Sequence, residues 1–304
     1  MKAVDVQNLS VRFGTFTAVD DITFDVTPGE IFGFLGANGA GKTTTIRVLT
    51  GLLPPSAGTV HVAGLNFDDG GRAIKSRVGY MSQRFTLYND LSVQENLSFA
   101  AGLRKIPPAQ ATPRMKRLLN FVKFSQPLTT LVRHLPGGLK QEVSLVASLL
   151  HDPEIVFLDE PTAGVSPSSR ARFWGLIRSL AQEGKTIFVT THYMDEAEEC
   201  GRIALMRAGR VIALGSPAAL KKQAFPERLV EIQWKDSPPA GWQSTLLAGP
   251  AVSVVPYGLF HHILIQDPAG WNRFMSTHSN QLVARDIQPS LEDVFIRLVE
   301  GVDR

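Results

Sequence analysis

A single cysteine, Cys200, stands in a chain of 304 residues, so no internal disulfide can form and a reducing compartment fits. Long apolar runs are also missing. No stretch of about 18 apolar residues occurs, which argues against a transmembrane helix. The opening Met1-Lys2-Ala3-Val4-Asp5 lacks the apolar core of a secretion signal, and the expectation is a soluble, cytoplasmic chain. Charge of one sign is not in excess: 31 Lys and Arg face 28 Asp and Glu, a net charge of +3. That balance gives no argument for nucleic acid, and it suits work near an anionic membrane face. Internal repeats and low-complexity tracts are absent too. What is present is a composition that can bury a core, 44% hydrophobic and 19% charged, at a length for one large domain or two smaller ones.

Apolar–polar alternation predicts strands over 3–12 and 19–27, with a short loop over 13–17 between them. A buried-type strand over 30–35 feeds the loop 36–41, and a helix over 42–51 follows, stopped by Gly51 and Pro54-Pro55. Further strands are expected at 59–64 and 77–82. Between about 90 and 150 the pattern is helical, with candidates at 89–103, 113–124 and 139–151. Apolar strands at 154–158 and 186–190 flank a helix at 168–182, a spacing that points to a parallel α/β sheet. Strands at 203–206 and 211–214 form a hairpin around Ala208-Gly209. A helix plus linker over 215–227, punctuated by Pro217 and Pro226, leads to strands at 229–234, 252–255 and 262–266 and helices at 270–280 and 289–300. The expected division is a main domain over 1–222, with a helical subdomain at about 85–152, and a small accessory α+β domain over 223–304.

Gly36-Ala37-Asn38-Gly39-Ala40-Gly41-Lys42-Thr43 fits G-x-x-x-x-G-K-[ST]. The glycines let backbone N–H groups turn inward around phosphates, and the following helix aims its positive end at the same anion. Lys42 is expected to reach the β- and γ-phosphates, and the Thr43 hydroxyl to ligate Mg²⁺. Chance produces this pattern in a chain of this length on the order of once in a hundred.

Ile155-Val156-Phe157-Leu158-Asp159-Glu160 is a buried strand ending in two acids. Adjacent strand side chains point to opposite faces, so the turn at Pro161 is expected to re-aim one of them. Asp159 is expected to hold Mg²⁺ and Glu160 to polarise an attacking water as general base. Ile187-Phe188-Val189-Thr190-Thr191-His192 is a second apolar strand with a polar end, where His192 is either structural or a γ-phosphate contact. Gln83 is either a solvated loop amide or a ligand of Mg²⁺ and of the nucleophilic water. Phe13 is either core or a stacking face for adenine.

Taken together these residues resemble the ATP-binding subunit of ABC transporters, a P-loop NTPase fold of α/β class with a helical subdomain. The resemblance spans roughly 3–222: the A-loop aromatic at Phe13, Walker A at 36–43, the Q-loop at Gln83, Walker B at 155–160 and the switch at His192. Leu135-Pro136-Gly137-Gly138-Leu139 occupies the signature position. Thr191-His192-Tyr193-Met194-Asp195-Glu196-Ala197-Glu198, Gly215-Ser216-Pro217 and Pro289-Ser290-Leu291-Glu292-Asp293-Val294-Phe295 resemble the ABC-2-type exporter ATPases.

The resemblance implies ATP and Mg²⁺ as cofactors, with Thr44 beside Thr43 in the nucleotide site. It implies a multi-span permease on a separate chain, and a second nucleotide-binding domain whose signature glycines, like Gly137 and Gly138 here, face the other domain's ATP. It places the chain peripherally on the cytoplasmic face of the cell membrane, with no nucleic acid partner.

Two segments depart from the family pattern. Pro136 stands where the signature usually has Ser, and Leu139 where it has Gln. Proline offers neither N–H nor hydroxyl to a phosphate. Ser166 replaces the usual Asp of the D-loop segment Thr162-Ala163-Gly164-Val165-Ser166-Pro167. Both changes fall on elements the family donates to the partner's site; either they slow hydrolysis there or backbone contacts make up for them, and an ATP-sensing, slowly hydrolysing subunit is the alternative function. A DNA-repair or chromosome-type ATPase does not fit, because the insert between Walker A and Walker B is only about 100 residues without sustained heptads. Phe85, Leu87 and Tyr88 after Gln83 are either a groove for a permease helix or core of the helical subdomain.

Overall fold

Strands that must be buried on both faces read as unbroken apolar runs, and those runs form the centre of this protein. The computed structural model describes residues 2–83 and 86–302. The chain divides into two compact units, one up to Pro217 and one from Ala218 onward.

In the first unit β1 (Val4–Phe13) and β2 (Phe16–Val26) form an antiparallel hairpin, and β3 (Ile31–Leu35) leads into α1 (Lys42–Leu49). Next come β4 (Ala57–Val62), α2 (Arg72–Arg77) and β5 (Val78–Met81), then α3 (Val93–Leu103), α4 (Pro108–Phe121) and α5 (Gly137–Leu149). The unit ends with β6 (Ile155–Asp159), α6 (Pro167–Gln182), β7 (Thr186–Thr191), α7 (Met194–Ala197) and the hairpin β8 (Arg202–Arg207) and β9 (Arg210–Gly215).

One sheet has the order β2-β1-β4 and is antiparallel. The other has the order β5-β6-β7-β3-β8-β9, parallel except for β9. Every residue of β6 and β7 is buried. Phe24 of one sheet packs with Phe32, Phe34 and Phe188 of the other at ring distances of 5.4–6.2 Å, which joins the two layers. This arrangement positions the site. β5, β6, β7 and β3 are neighbours and parallel, so the loops leaving their C-terminal ends meet at one sheet edge, where open α/β sheets bind ligands.

The helices begin where their caps allow. The helix expected from 89 starts at Val93, because Ser92 and Glu95 form a capping box. The helix expected from Pro113 starts at Pro108, which takes the N1 place where a missing N–H costs nothing, and Pro113 lies inside it. α2, short and polar, has no periodicity to announce it.

The second unit has α8 (Pro217–Ala224) near its start, then β10 (Arg228–Trp234), α9 (Trp242–Leu247), β11 (Ala251–Tyr257) and β12 (Phe260–Ile265). α10 (Pro268–His278), β13 (Leu282–Asp286) and α11 (Leu291–Val302) complete it. The antiparallel sheet has the order β11-β12-β10-β13 and covers a core of Val230, Ile232, Ile263, Trp242, Trp271 and Phe274. α9 and β13 go beyond the sequence expectation. Among the described residues no helix is long and apolar enough to cross a membrane.

Candidate functional site

The loop between β3 and α1 can only be built with glycine at its tight points. Gly41 caps α1 at φ 108°, and a Cβ there would stand 2.6 Å from the Ala18 carbonyl oxygen of β2. A Cβ on Gly36 would stand 2.3 Å from the Met206 carbonyl oxygen. The loop is pinned by Gly209, whose N–H donates to the Ala40 carbonyl at 3.0 Å. Ala37, Asn38 and Gly39 remain exposed, while Gly36, Ala40 and Lys42 are buried. Thr43 is exposed and Thr44 half-buried at the start of α1, where the first backbone N–H groups have no partner within the helix. Lys42 Nζ donates to the Gly36 carbonyl at 2.7 Å and the Ala37 carbonyl at 3.2 Å.

Asp159 ends β6 and is 1% exposed. Its Oδ1 accepts from Thr190 Oγ1 at 2.6 Å and from Thr43 Oγ1 at 3.4 Å. Its Oδ2 is buried without a hydrogen-bond partner. Burial raises the Asp159 pKa, opposed by the Thr190 and Thr43 hydroxyls and reinforced by the Glu160 charge. A buried carboxylate oxygen with free lone pairs beside a threonine hydroxyl is the hard-oxygen environment that Mg²⁺ takes, so these residues fit that ion.

Glu160 is re-aimed by its own backbone. The expected turn at Pro161 is present, closed by the Ala163 N–H donating to the Glu160 carbonyl at 3.2 Å, and Glu160, its first residue, adopts φ 46°, the left-handed region rare for a side-chain-bearing residue. Its N–H donates to Thr190, at 3.1 Å to the carbonyl and 3.0 Å to the hydroxyl, which holds that conformation. The carboxylate, 6% exposed, then faces three residues from three separate segments. Lys42 Nζ lies 3.3 Å from Oε1. Gln83 Nε2 donates to Oε2 at 2.9 Å. His192 Nδ1 lies 3.3 Å from Oε2, close enough for attraction but without hydrogen-bond alignment. The structure thus brings Lys42, Gln83, Glu160 and His192 into one cluster, with Thr43 and Asp159 as a second pair beside it.

Phe13 is 47% exposed at the tip of the β1–β2 hairpin, opposite Phe16, which is also exposed. The core alternative for Phe13 is therefore excluded, and Phe16 is a second exposed ring that the sequence reading did not single out. Pro136 caps α5 with no side-chain hydrogen bond. Gly137 is exposed, and Gly138 lies so close to α6 that a Cβ would stand 2.7 Å from Ser169 Oγ. Ser166 caps α6, its hydroxyl accepting from Ser169 N–H at 3.3 Å, a task aspartate performs equally well. Tyr88 is 51% exposed and meets Phe99 edge-on at 5.1 Å, with Leu103 exposed on the same helix as Phe99. The core alternative fails for Tyr88. Leu87 is half-buried, and Phe85 lies outside the described residues. Thr190 is the residue missed: a buried hydroxyl that donates to the Asp159 carboxylate and accepts from the Glu160 N–H, visible in sequence only as a polar residue in an apolar strand.

Residues 19–163 match the family model described as ABC transporter. The chain is 41% identical over 221 residues to the probable multidrug ABC transporter ATP-binding protein YbhF of Escherichia coli, covering 73% of this chain and 38% of that one. It therefore spans well under half the length of that relative. It is 37% identical over 301 residues to the Nod factor export ATP-binding protein I of Ralstonia nicotianae, covering 97% of this chain and 93% of that one. Among solved structures, cbiO1 from Clostridium perfringens, part of the ABC transporter complex cbiONQ, superposes with a TM-score of 0.67 at 28% identity, covering 74% of this chain and 91% of that one.

Proposed function

This chain belongs to the family of ABC transporter ATP-binding proteins, and we propose that it hydrolyses ATP to power a separate membrane permease of the ABC-2 exporter type. The observation that carries the reading is the Glu160 carboxylate, buried among Lys42, Gln83 and His192 at the mouth of the phosphate loop. In this reading the backbone N–H groups of 36–44 and the Lys42 ammonium cradle the phosphates, and Phe13 stacks on adenine. Thr43, Asp159 and Gln83 hold Mg²⁺, which when bound neutralises developing charge on the phosphates. Glu160 takes the proton of the attacking water, Gln83 orients that water and His192 contacts the γ-phosphate. A carboxylate already bonded by an amide and flanked by an imidazole is held in one orientation, which is what a general base needs.

A second nucleotide-binding domain, identical or related, faces this one and presents its signature glycines, as Gly137 and Gly138 do in return. The exposed Tyr88–Phe99–Leu103 surface receives the permease on the cytoplasmic face of the membrane. The similarity to multidrug and Nod factor export proteins supports export as the direction. Pro136, which leaves the signature without a hydroxyl, favours a second reading, a slowly hydrolysing ATP sensor within the same complex.

The test is ATP binding and hydrolysis by the full-length chain. Lys42→Ala should weaken ATP binding about tenfold or more, from loss of a charge-assisted contact. Glu160→Gln should keep ATP bound and lose turnover by about 100-fold, the scale of a general base. Wild-type turnover in Glu160→Gln would refute the reading.

A further inference from the structure

Glu196 is 2% exposed in the four-residue helix α7, and the chemistry assigned above gives it no task. Such a carboxylate persists in a core only when its oxygens are paired. Its partners come from three separate segments. Oε2 accepts from the Thr191 hydroxyl at 2.8 Å, and Oε1 accepts from the Thr162 hydroxyl. Arg170 Nε lies 3.3 Å from Oε1 as an ion pair. Thr191 immediately precedes His192, and Thr162 lies two residues beyond Glu160. One buried side chain therefore holds both loops whose tips meet as the Glu160–His192 pair.

The contacts continue toward His192 itself. The Thr191 hydroxyl, while donating to Glu196, accepts from Tyr193 N–H at 3.0 Å, so the backbone on both sides of His192 is fixed through it. The Arg170 guanidinium lies 4.0 Å over the Tyr193 ring, and that ring lies 4.1 Å from the His192 ring. Glu196 anchors Arg170, Arg170 supports Tyr193, and Tyr193 backs the imidazole. Arg170 sits in the first turn of α6, its N–H bonded to the Ser166 carbonyl at 2.9 Å, so the segment 162–167 is tied to the same anchor.

We propose that Glu196 is a positioning residue: through Thr162, Thr191 and Arg170 it sets the distance and orientation between His192 and Glu160, without touching nucleotide. This rests on the hydrolytic reading of the site. It separates from that reading because, among the described residues, no hydrogen bond or ion pair joins Glu196 to the phosphate loop that would bind ATP. Disturbing Glu196 should slow turnover and leave ATP affinity alone. A merely structural role would lower stability and affect binding and turnover together, or neither.

The experiment uses the full-length chain, with ATP affinity measured by equilibrium binding and turnover at saturating ATP. Glu196→Gln keeps the shape and removes the buried charge beside Arg170 Nε, leaving the exposed Asp195 carboxylate 3.5 Å from the same guanidinium. Thr162→Val keeps the shape and removes one hydroxyl, and Thr162→Ser retains that hydroxyl. Expected are a roughly tenfold fall in kcat for Glu196→Gln and Thr162→Val, with the ATP Kd within about twofold of wild type, the scale of losing one charged hydrogen bond. Thr162→Ser should stay near wild type. Glu196→Gln combined with Thr162→Val should fall short of the product of the two losses, because the two variants weaken different contacts of the same Glu196 anchor. If Glu196→Gln does not fold, the Thr162 pair decides the question alone. Unchanged kcat in the presence of wild-type hydrolysis overturns the positioning role only, as do multiplied losses in the double variant. A wild-type chain that binds no ATP overturns the proposed function instead.

Discussion

Replacing Pro136 by serine separates stability from rate. Pro136 is the N-cap of α5 with φ −56° and ψ 152°, and its ring offers nothing to the helix N–H groups. A serine there would place its oxygen on the N–H of Gly138 or Leu139, a cap worth about 0.5–2 kcal/mol. Losing the ring frees the unfolded chain, which costs about 0.4–1 kcal/mol. The two nearly offset, so the melting temperature should move by no more than about 3 °C. The rate should respond differently. The same hydroxyl that accepts from the helix still has a proton to donate, and a hydrogen bond to phosphate is worth about 1.5–3 kcal/mol. Realised at the transition state of the facing site, that is about 10–150-fold in turnover. Steady-state ATP hydrolysis of the chain assembled with its membrane partner, wild type against Pro136→Ser, measures it. A rate within twofold of wild type would refute the reasoning and show that the N–H groups of Gly137 and Gly138 suffice.

Two further outcomes follow from the same geometry. Tyr88→Asp puts a charge on an already exposed side chain, so ATP binding should persist with a stability change under about 1 kcal/mol while transport in a reconstituted complex is lost; joint loss of folding and binding would count against a docking surface. His151, half-buried with Nε2 donating to the Val78 carbonyl at 3.0 Å, has its pKa pushed down from 6.5 to about 4, first by burial and then by Arg104. The folded state then binds fewer protons than the unfolded state between those values. Stability should fall as pH drops from 6.5 to 4, by about 1–2 kcal/mol once solvent screening of a half-buried ring is allowed for, and level off below. His151→Gln should flatten that slope in urea denaturation series, and an unchanged slope would assign it to other groups.

The phosphate loop, its flanking strand and helix, and the two acids were legible because each is a local pattern: glycines that the chain's own turns demand, and apolar runs ending in charge. What local patterns do not carry are the contacts between loops. Gln83 and Glu160 are 77 positions apart and meet because β5 and β6 are neighbours, a pairing that periodicity does not specify. Thr190 and Glu196 read as polar interruptions until burial shows that they bond to other segments. Boundaries slipped where caps outrank periodicity, as at Ser92. In the second unit β13 was missed because it is an edge strand, with Leu282 as its one buried residue.

The left-handed backbone of Glu160 means that two selective demands compete at one residue. Its conformation costs on the order of 1–2 kcal/mol that glycine would not incur. Drift toward thermal robustness would therefore favour glycine or asparagine at this position, and with either the acid beside Lys42, Gln83 and His192 would be gone. A glutamate in that backbone conformation marks position 160 as one where the chain gives up thermal margin for a carboxylate.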